Sequence, residues 1–358
     1  MASDCLDHSA LIETAIAADG AARSPLVASW SRSARLHGLD PDSKSPPKRL
    51  TEVALRDLRD EMGPLARAAA PSLDHLFQAV GGMGCCVLLA DRHGVPVERR
   101  GMPGDDRTFE EWGLWPGAVW SEAEEGTNGI GTCLIEHRPV TIHRDQHYLS
   151  RNVALGCMAA PLHDHEGRLA GVLDVSSCRS DFTESVARLI ALTVAETARR
   201  IDAEVFRLAF PHARITLVPG EDRTAGALVA IDADDLVIGA TYSARQALDL
   251  SADLVRNPIP ASDLLGIAAA ETLDEAERGV LARALARARG NVSAAARSLG
   301  VSRATFHRKL GRLGSDHLAG ASVLHSRKDT AATCRNSATG CALVLPATAD
   351  RPPTKSDY

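Results

Sequence analysis

Two glycines near the C-terminal end of the chain, Gly290 and Gly300, constrain the fold more than any other feature. Glycine commonly ends a helix because it adopts a left-handed backbone at no steric cost. Each follows a segment with apolar residues at helical spacing, and Asn291 and Ser302, which are favoured caps of helix N-termini, stand directly after the first and two residues after the second. The pattern predicts three short helices, the last two joined by a tight turn. This is the helix-turn-helix arrangement.

Charge is unevenly distributed along the chain. The 358 residues carry a formal net charge of −6, which argues against a protein that coats nucleic acid or an anionic membrane over its whole length. From Thr272 to Leu313, however, nine basic residues stand against three acidic ones, so this stretch carries about +6 and the remainder about −12. Thr272 and Glu275 form a predicted capping box at the start of the basic stretch. The apolar face of the helix that follows, up to Ala288, is available for pairing with a second copy.

The third predicted helix carries the side chains that a reader of the DNA major groove needs. Arg303, near its N-terminus, can donate to both acceptors of a guanine, which discriminates between bases by roughly 1–3 kcal/mol. Arg308 and Lys309 are expected on phosphates, where they contribute affinity and salt dependence. The predicted DNA-binding residues are Asn291, Ser293, Ser302, Arg303, Thr305, His307, Arg308 and Lys309. The predicted inner face consists of Ala295, Leu299, Val301, Phe306 and Leu310.

The N-terminal part of the chain is predicted to be helical. Ser24 caps a helix that has proline at its first position and ends at Gly38. A second helix is expected from Thr51 to Ala70, where Pro71 breaks it, and a short third helix from Ser72 to Val80.

From Gly84 the hydrophobic period changes to that of strands. The predicted strands cover 85–90, 139–142, 154–162 and 169–175, with residues 163–168 as a hairpin connection, and a helix is expected over 183–207. The pattern favours an α+β fold with an antiparallel sheet flanked by helices. Two further strands, 227–232 and 236–240, precede a helical segment, 243–250. Because about forty residues are too few to bury a hydrophobic core of their own, this segment is expected to pack against a neighbouring part of the chain.

A resemblance to the Fis-type helix-turn-helix that closes bacterial enhancer-binding regulators is found in GNVSAAARSLGVSRATFHRKLGRLG. The stretches SWSRSARLHGLDP, EGTNGIGTCLIEHRPVTIHRDQHYLSRN and GCMAAPLHDHEGRLAGVLDVSS resemble AcoR-like activators, the acetoin-catabolism regulators, in which they belong to a GAF sensor domain. The strands around Leu228 and Ile238 look like the truncated PAS-like piece that follows GAF in those proteins. Together these stretches cover roughly Ser24 to Leu313.

The chain departs from that family between sensor and DNA reader. Such activators carry a AAA+ ATPase there, with a G-x-x-x-x-G-K-[ST] phosphate loop. Neither this loop nor the GAFTGA segment that engages sigma-54 occurs in the sequence. The resemblance therefore implies a sensor and a DNA reader without the ATP-driven motor, and no cofactor.

The resemblance also implies a small-molecule cavity in the GAF domain, over which the glycine-rich loop Gly126–Thr132 packs a short helix. The candidate effector-binding residues are Trp115, Trp120, Asn128, Cys133, His143 and Tyr148. Two sets, His143, Asp145 and His147, and His163, Asp164 and His165, have almost metal-like spacing. The second set is interpreted as a solvated hairpin turn rather than a metal site.

Two alternatives remain open at this stage. Five cysteines lie in the predicted sensor, and a thiol-based redox sensor or a GAF-type free methionine sulfoxide reductase would use such groups. They are Cys85, Cys86, Cys133, Cys157 and Cys178. The protein could alternatively antagonise a full-length sigma-54 activator by forming mixed dimers with it.

The expected organisation has six parts. These are an N-terminal helical region (1–64), a GAF sensor domain (65–207), a truncated PAS-like segment (214–252), a linker (253–271), a Fis-type helix-turn-helix domain (272–314) and a disordered tail (315–358). A non-enzymatic, cytoplasmic, homodimeric regulator is expected, with double-stranded DNA and a small-molecule effector as partners and RNA polymerase or a full-length activator as further ones. No membrane association is expected, since the sequence has no long apolar run.

Overall fold

The computed structural model describes residues 2–18, 20–22, 24–218, 226–250, 254, 257, 259–266 and 272–312. These residues belong to two compact units, Met1–Ala269 and Ala270–Tyr358. The expected disordered tail lies outside the described residues.

Three helices precede the first strand: α1 (Ala2–Ala17), α2 (Pro25–Ser31) and α3 (Glu52–Val80). The predicted cap of α2 is confirmed, since the Ser24 side chain accepts a hydrogen bond from the backbone N–H of Val27 and proline occupies the first helical position. One π-helical turn, Arg32–Leu36, continues α2 before Gly38, which has a φ of +64°.

The predicted break at Pro71 is wrong, because α3 runs through both Pro64 and Pro71. A proline inside a helix removes one backbone hydrogen bond and costs about 3 kcal/mol. Here Leu73, Leu76 and Val80 are all at least 98 % buried on the sheet, and burial of three such side chains offsets that loss. The expected boundary between residues 64 and 65 falls inside this helix.

The central sheet has five antiparallel strands in the order β2-β1-β5-β4-β3. They are β1 (Cys85–Asp91), β2 (Pro96–Arg100), β3 (Val140–His143), β4 (Gly156–His163) and β5 (Leu169–Ser177). The predicted α+β class and the hairpin between β4 and β5 are confirmed, whereas β2 escaped prediction because its sequence, PVERR, is charged.

Both faces of the central sheet are covered. On one face, Val87 and Leu89 of β1 pack against α3 and α7 (Glu184–Ala209). On the other face, Cys86 and Leu88 pack beneath two short helices, α4 (Asp106–Glu111) and α6 (Gly129–Glu136), and the loops beside them. Between these two in the chain, the short helix α5 (Glu122–Glu125) packs against α6. Because successive side chains of a strand point to opposite faces, burial of both faces explains why β1 is apolar from Cys85 to Ala90.

A smaller sheet follows α7, with strand order β6-β7-β8-β9. Its elements are β6 (Arg214–Leu217), β7 (Leu228–Ile231), β8 (Leu236–Ala240), α8 (Tyr242–Ala247), β9 (Ile259–Pro260) and α9 (Ala261–Leu265). The expectation that this piece leans on a neighbour is confirmed, since Phe206 of α7 is fully buried with Leu228 and Ala230. Part of the expected linker therefore belongs to this sheet. Strand β9 pairs with β8, and Ala261, which directly follows β9, is buried in the core of the same sheet.

The interpretation of His163, Asp164 and His165 as a solvated turn is wrong for His163, whereas Asp164 and His165 do lie in the turn after β4. His163 ends β4, is 96 % buried, and its Nδ1 lies 2.9 Å from Oδ2 of Asp202 on α7. Its ring stacks on Tyr242 of α8 at 3.9 Å between centroids. The hairpin, α7 and the smaller sheet thus meet at one histidine. In the part of the chain that the structure describes, no group of three or more His, Cys, Asp and Glu could hold a metal.

The second unit contains the three predicted helices, α10 (Leu273–Arg287), α11 (Val292–Ser298) and α12 (Arg303–Arg312). Gly290 and Gly300 both adopt left-handed backbone, with φ of +83° and +66°. The core is made of Leu281, Ala284, Ala295, Ala296 and Phe306. The apolar face of α10 is therefore used inside the unit rather than left available for pairing. Only Leu273 and Val280 among its larger apolar side chains are exposed. The Glu275 side chain, half of the predicted capping box, lies outside the described residues.

Candidate functional site

Helix α12 presents a polar face held in place by its core contacts. Phe306 is fully buried and Leu310 is partly buried against the other two helices, as predicted for the inner face. Arg303 and His307, which are four residues apart, lie together along one edge of that inner face and are exposed. Arg308 is exposed on the side of the helix opposite Phe306 and Leu310. Two guanidinium groups and an imidazole are thus directed away from the unit's own core.

Ser302 and Thr305 are engaged in starting α12. The Ser302 hydroxyl accepts a hydrogen bond from the Thr305 backbone N–H at 3.0 Å and lies 2.9 Å from the Thr305 hydroxyl. Both side chains therefore fix the N-terminus of α12 and with it the direction of Arg303. Asn291 acts in the same way on α11, where its Oδ1 accepts from the Ala294 N–H at 3.1 Å.

Lys309 differs from the other predicted basic residues. Its ammonium forms a salt bridge with Glu277 of α10, and its side chain is 34 % exposed. This contact ties α12 to α10. Arg303 and Arg308 form no salt bridge among the described residues, and Ser293 is exposed at the start of α11. Among the described side chains of α12, the positive charge that is not engaged in a salt bridge thus belongs to Arg303 and Arg308.

Four of the six candidate effector-binding residues hold the first unit together. Trp120 is 99 % buried, and its indole N–H donates to the Gly113 carbonyl at 2.7 Å. Asn128 is fully buried and caps α6 by accepting from the Gly131 N–H. The Tyr148 hydroxyl donates to the Leu39 carbonyl at 2.7 Å, and Cys133 is buried in the core beneath α6.

The other two candidates are closer to the surface. His143 lies at the end of β3, with its ring centroid 6.2 Å from that of Phe182. Trp115 is half-buried, and its ring lies 4.6 Å from the Arg99 guanidinium carbon. The structure thus brings Trp115 next to a charged side chain, Arg99, that was not among the residues predicted for this site.

Arg99 was missed because β2 is irregular. A bulge lies between the pairs Leu89–Glu98 and Ala90–Pro96, so the simple alternation of inward and outward residues fails there. Arg99 pairs with Leu88 and therefore shares the inner face that α4 covers. Its side chain is only 9 % exposed.

The thiols are poorly suited to nucleophilic chemistry. Cys86, Cys133 and Cys157 are buried, and burial raises the pKa of each thiol well above its usual range. Burial also raises the pKa of Cys85, to about 11, and that of the half-buried Cys178. Because the thiolate is the reactive form, these environments disfavour catalysis.

A groove of about 1000 Å³ lies on the face of the sheet that α3 and α7 cover, between α3 and the C-terminal part of α7. Leu58, Met62 and Leu208 are among its apolar lining residues. None of the six candidate effector-binding residues lines it.

The chain matches two protein families. Residues 64–201 match the GAF domain, and residues 272–313 match the Fis family of bacterial regulatory proteins. Among the described residues, no helix is long and apolar enough to cross a bilayer.

Three curated proteins illustrate the similarity. The acetoin catabolism regulatory protein of Cupriavidus necator is 31 % identical over 244 residues, which are 67 % of this chain and 36 % of that protein. The acetoin dehydrogenase operon transcriptional activator AcoR of Bacillus subtilis is 32 % identical over 43 % of this chain and 25 % of its own length. The propane 2-monooxygenase operon transcriptional activator MimR of Mycolicibacterium smegmatis is 32 % identical over 45 % and 26 %. The matches thus span about a quarter to a third of these relatives.

Proposed function

We propose that this chain is an effector-responsive, sequence-specific DNA-binding transcription regulator. It is an AcoR-like protein with a GAF domain and a Fis-type helix-turn-helix, and the proposal starts from that family membership. The observation that carries this proposal is the exposed face of α12, on which Arg303, His307 and Arg308 stand free of the unit's core. The named relatives are themselves a regulatory protein and two transcriptional activators.

In this proposal α12 enters the major groove. Arg303 contacts a guanine edge and His307 an adjacent base edge, while Arg308 and the start of α11, with Asn291 and Ser293, hold phosphates. Ser302 and Thr305 keep the helix start in place. Lys309 contributes through Glu277 by holding α12 against α10.

The regulator is proposed to work as a homodimer and without ATP hydrolysis. One recognition helix covers only a half-site, so two copies reading a partly palindromic site gain both affinity and specificity. The sequence contains no G-x-x-x-x-G-K-[ST] loop to hold a nucleotide phosphate. A protein that reads the bacterial chromosome works in the cytoplasm, which is where we place it.

The GAF domain is proposed to sense the small-molecule effector. Its thiols give no support to catalysis, so we assign it a binding role rather than an enzymatic one.

Selection from a pool of random DNA duplexes tests the proposed function. We expect the full-length protein to enrich one partly palindromic sequence over successive rounds. A parallel selection with Phe306→Ala, which empties the core of the helix-turn-helix, should enrich none. Failure of the wild-type protein to enrich any sequence, or equal enrichment by both proteins, contradicts the proposal.

The missing phosphate loop also favours a second candidate, an antagonist that occupies the sites of a full-length activator through mixed dimers. The two candidates differ in what loss of the gene does. If the protein is an antagonist, deletion raises transcription of the genes next to its binding sites, whereas deletion of an activator lowers it.

A further inference from the structure

The buried guanidinium of Arg99 lies over the rings of two aromatic side chains. Its central carbon lies 4.6 Å from the ring centroid of Trp115 and 5.2 Å from that of Phe109, and its side chain is 91 % buried. A cation over an aromatic face is attracted to the ring electrons, so the two rings fix the plane of the guanidinium. Its remaining surroundings on the sheet are the apolar side chains beneath α4.

Only part of this guanidinium is satisfied. Nη1 donates to Oδ1 of Asp106 at 2.7 Å, while Nε and Nη2 are buried and have no hydrogen-bond partner. Leaving a buried donor of a charged group unpaired costs free energy, so such an arrangement needs an explanation. Among the described residues, Arg99 is the one arginine with two buried and unpartnered nitrogens.

The two free nitrogens form one edge of the guanidinium. Nε and Nη2 point the same way and are spaced to meet the two oxygens of a carboxylate. The chain itself contains an example, since Nε and Nη2 of Arg179 donate to the two carboxylate oxygens of Asp181 at 2.8 Å each. The Nε–Nη2 edge of Arg99 offers the same two donors, so a carboxylate is the group that matches it.

The free edge is covered by protein but lies near the surface. A Cβ on residue 101 would collide with Nη2 and Cζ of Arg99, so the backbone of Gly101 packs directly against the guanidinium and a larger residue does not fit there. Because Nε and Nη2 are buried, a carboxylate reaches them only when the residues over them move, and Asp106, which is 41 % exposed, and the half-buried Trp115 mark the nearest surface. Because Asp106 already compensates part of the charge, a singly charged carboxylate fits better than a doubly charged phosphate.

We propose that Arg99 anchors the carboxylate of a small-molecule effector, through Nε and Nη2, against the faces of Trp115 and Phe109. This inference rests on the proposed sensing role of the GAF domain and gives that role a ligand class. Trp115, one of the candidate residues from the sequence, then forms a wall of the site, and Asp106 keeps the guanidinium oriented.

Titration of the full-length protein with matched pairs of small molecules tests this proposal. The probes are acetate, pyruvate, lactate and benzoate, each beside its neutral amide, in a buffer free of carboxylates. Isothermal calorimetry measures the affinity, and tryptophan fluorescence reports contact with Trp115. We expect at least one carboxylate to bind and its amide to bind at least tenfold more weakly, because the amide lacks the charge and the second acceptor oxygen.

Three variants locate the binding. Arg99→Gln should weaken the bound carboxylate at least tenfold, and Arg99→Lys should weaken it as well, since a lysine keeps the charge but not the paired donors. Arg100→Gln is the matched control, because Arg100 is the next residue and is already paired with Asp74 and Glu98. Near-ultraviolet circular dichroism checks that each variant retains its aromatic packing.

Two results overturn the proposal. One is that no carboxylate of the series binds the wild-type protein, and the other is that a carboxylate binds Arg99→Gln as tightly as wild type. DNA selection by the wild-type protein in the same carboxylate-free buffer is an independent measurement. Its failure would contradict the proposed function, whereas failure of the titration alone would contradict only the ligand class.

Discussion

Asp174 is the most unusual single residue of the sensor unit. It lies on β5, is 99 % buried, and accepts a hydrogen bond from the Ser176 hydroxyl at 2.6 Å, while its Oδ1 has no partner. Burial raises the pKa of this carboxyl from 3.8 to about 7. The folded state therefore holds the proton more tightly than the unfolded state does. Between pH 4 and pH 7 the unfolded chain ionises first, so this residue makes stability fall as pH rises.

Asp174→Asn is expected to remove that dependence. Relative to wild type, the free energy of unfolding of the variant should increase by about 2–3 kcal/mol between pH 5 and pH 8. All four tryptophans of the chain lie at positions 30–120, so urea unfolding followed by their fluorescence reports the sensor unit. Asp234→Asn, on the exposed turn between β7 and β8, is the control and should differ by less than about 0.5 kcal/mol at either pH. A constant difference between Asp174→Asn and wild type would show that Asp174 titrates normally.

At the scale of elements, sequence reasoning succeeded where one local rule decides the structure. The caps at Ser24 and Asn291 and the glycines at 290 and 300 fixed helix ends, because backbone hydrogen bonds and φ angles are settled within a few residues. It failed where tertiary packing overrides such a rule, as at Pro71.

The candidate sites were predictable to different degrees for the same reason. The exposed face of α12 follows from helical spacing alone. The setting of Arg99 does not, because it depends on a bulge in β2 and on two aromatic residues that the fold brings in from α4 and from the loop after it.

Helix α2 and its π-turn are joined to the GAF domain by a nearly buried ion pair. Nε and Nη2 of Arg32 donate to Glu122 at 2.7 and 3.2 Å, and Nη2 also donates to Glu136. Glu122 is 99 % buried, so loss of its partner leaves an uncompensated charge.

Arg32→Met should therefore lower the free energy of unfolding of the sensor unit by about 3 kcal/mol. The control is Arg188→Met, which removes an exposed pair with Glu184 on α7 and should change it by less than about 0.5 kcal/mol. Tryptophan-monitored urea unfolding measures both. Equal effects of the two substitutions would mean that the Arg32 pair is as solvent-screened as a surface pair.

The turn between α11 and α12 depends on Gly300. A side chain there would meet no atom within 4 Å, so a substitution is opposed only by the φ of +66°. Gly300→Ala should destabilise the helix-turn-helix by about 1–2 kcal/mol. Gly311→Ala is the matched control, since Gly311 is also unobstructed but lies within α12, where alanine gains up to about 1 kcal/mol. Amide hydrogen exchange of the full chain should be faster at Phe306 in the first variant and slower in the second. The same direction in both would contradict the strained turn.

At the scale of the whole molecule, the formal charge of −6 is the sum of a basic DNA reader near +6 and an acidic remainder near −12. An acidic protein with one basic surface is attracted to DNA only through that surface. Its affinity for DNA should therefore fall steeply with salt, through the phosphates that its arginines neutralise.

Arg308→Ala is expected to reduce that salt dependence. The slope of log affinity against log salt concentration should decrease in magnitude by about 1 per protomer, and specific and shuffled duplexes should be weakened alike. Fluorescence anisotropy with labelled duplexes at several salt concentrations measures the slope. An unchanged slope would remove Arg308 from the phosphate contacts.

The central claim is that α12 reads base sequence through Arg303. The most direct measurement is the ratio of affinities for the selected duplex and for a shuffled duplex of the same composition, in wild type, Arg303→Ala and the control Arg188→Ala, which loses the same charge far from α12 in sequence. We expect Arg303→Ala to lower the free-energy difference between binding of the two duplexes by about 1–3 kcal/mol per half-site, which reduces the affinity ratio fivefold or more. Arg188→Ala should leave the ratio unchanged. A wild-type ratio in Arg303→Ala would contradict the claim.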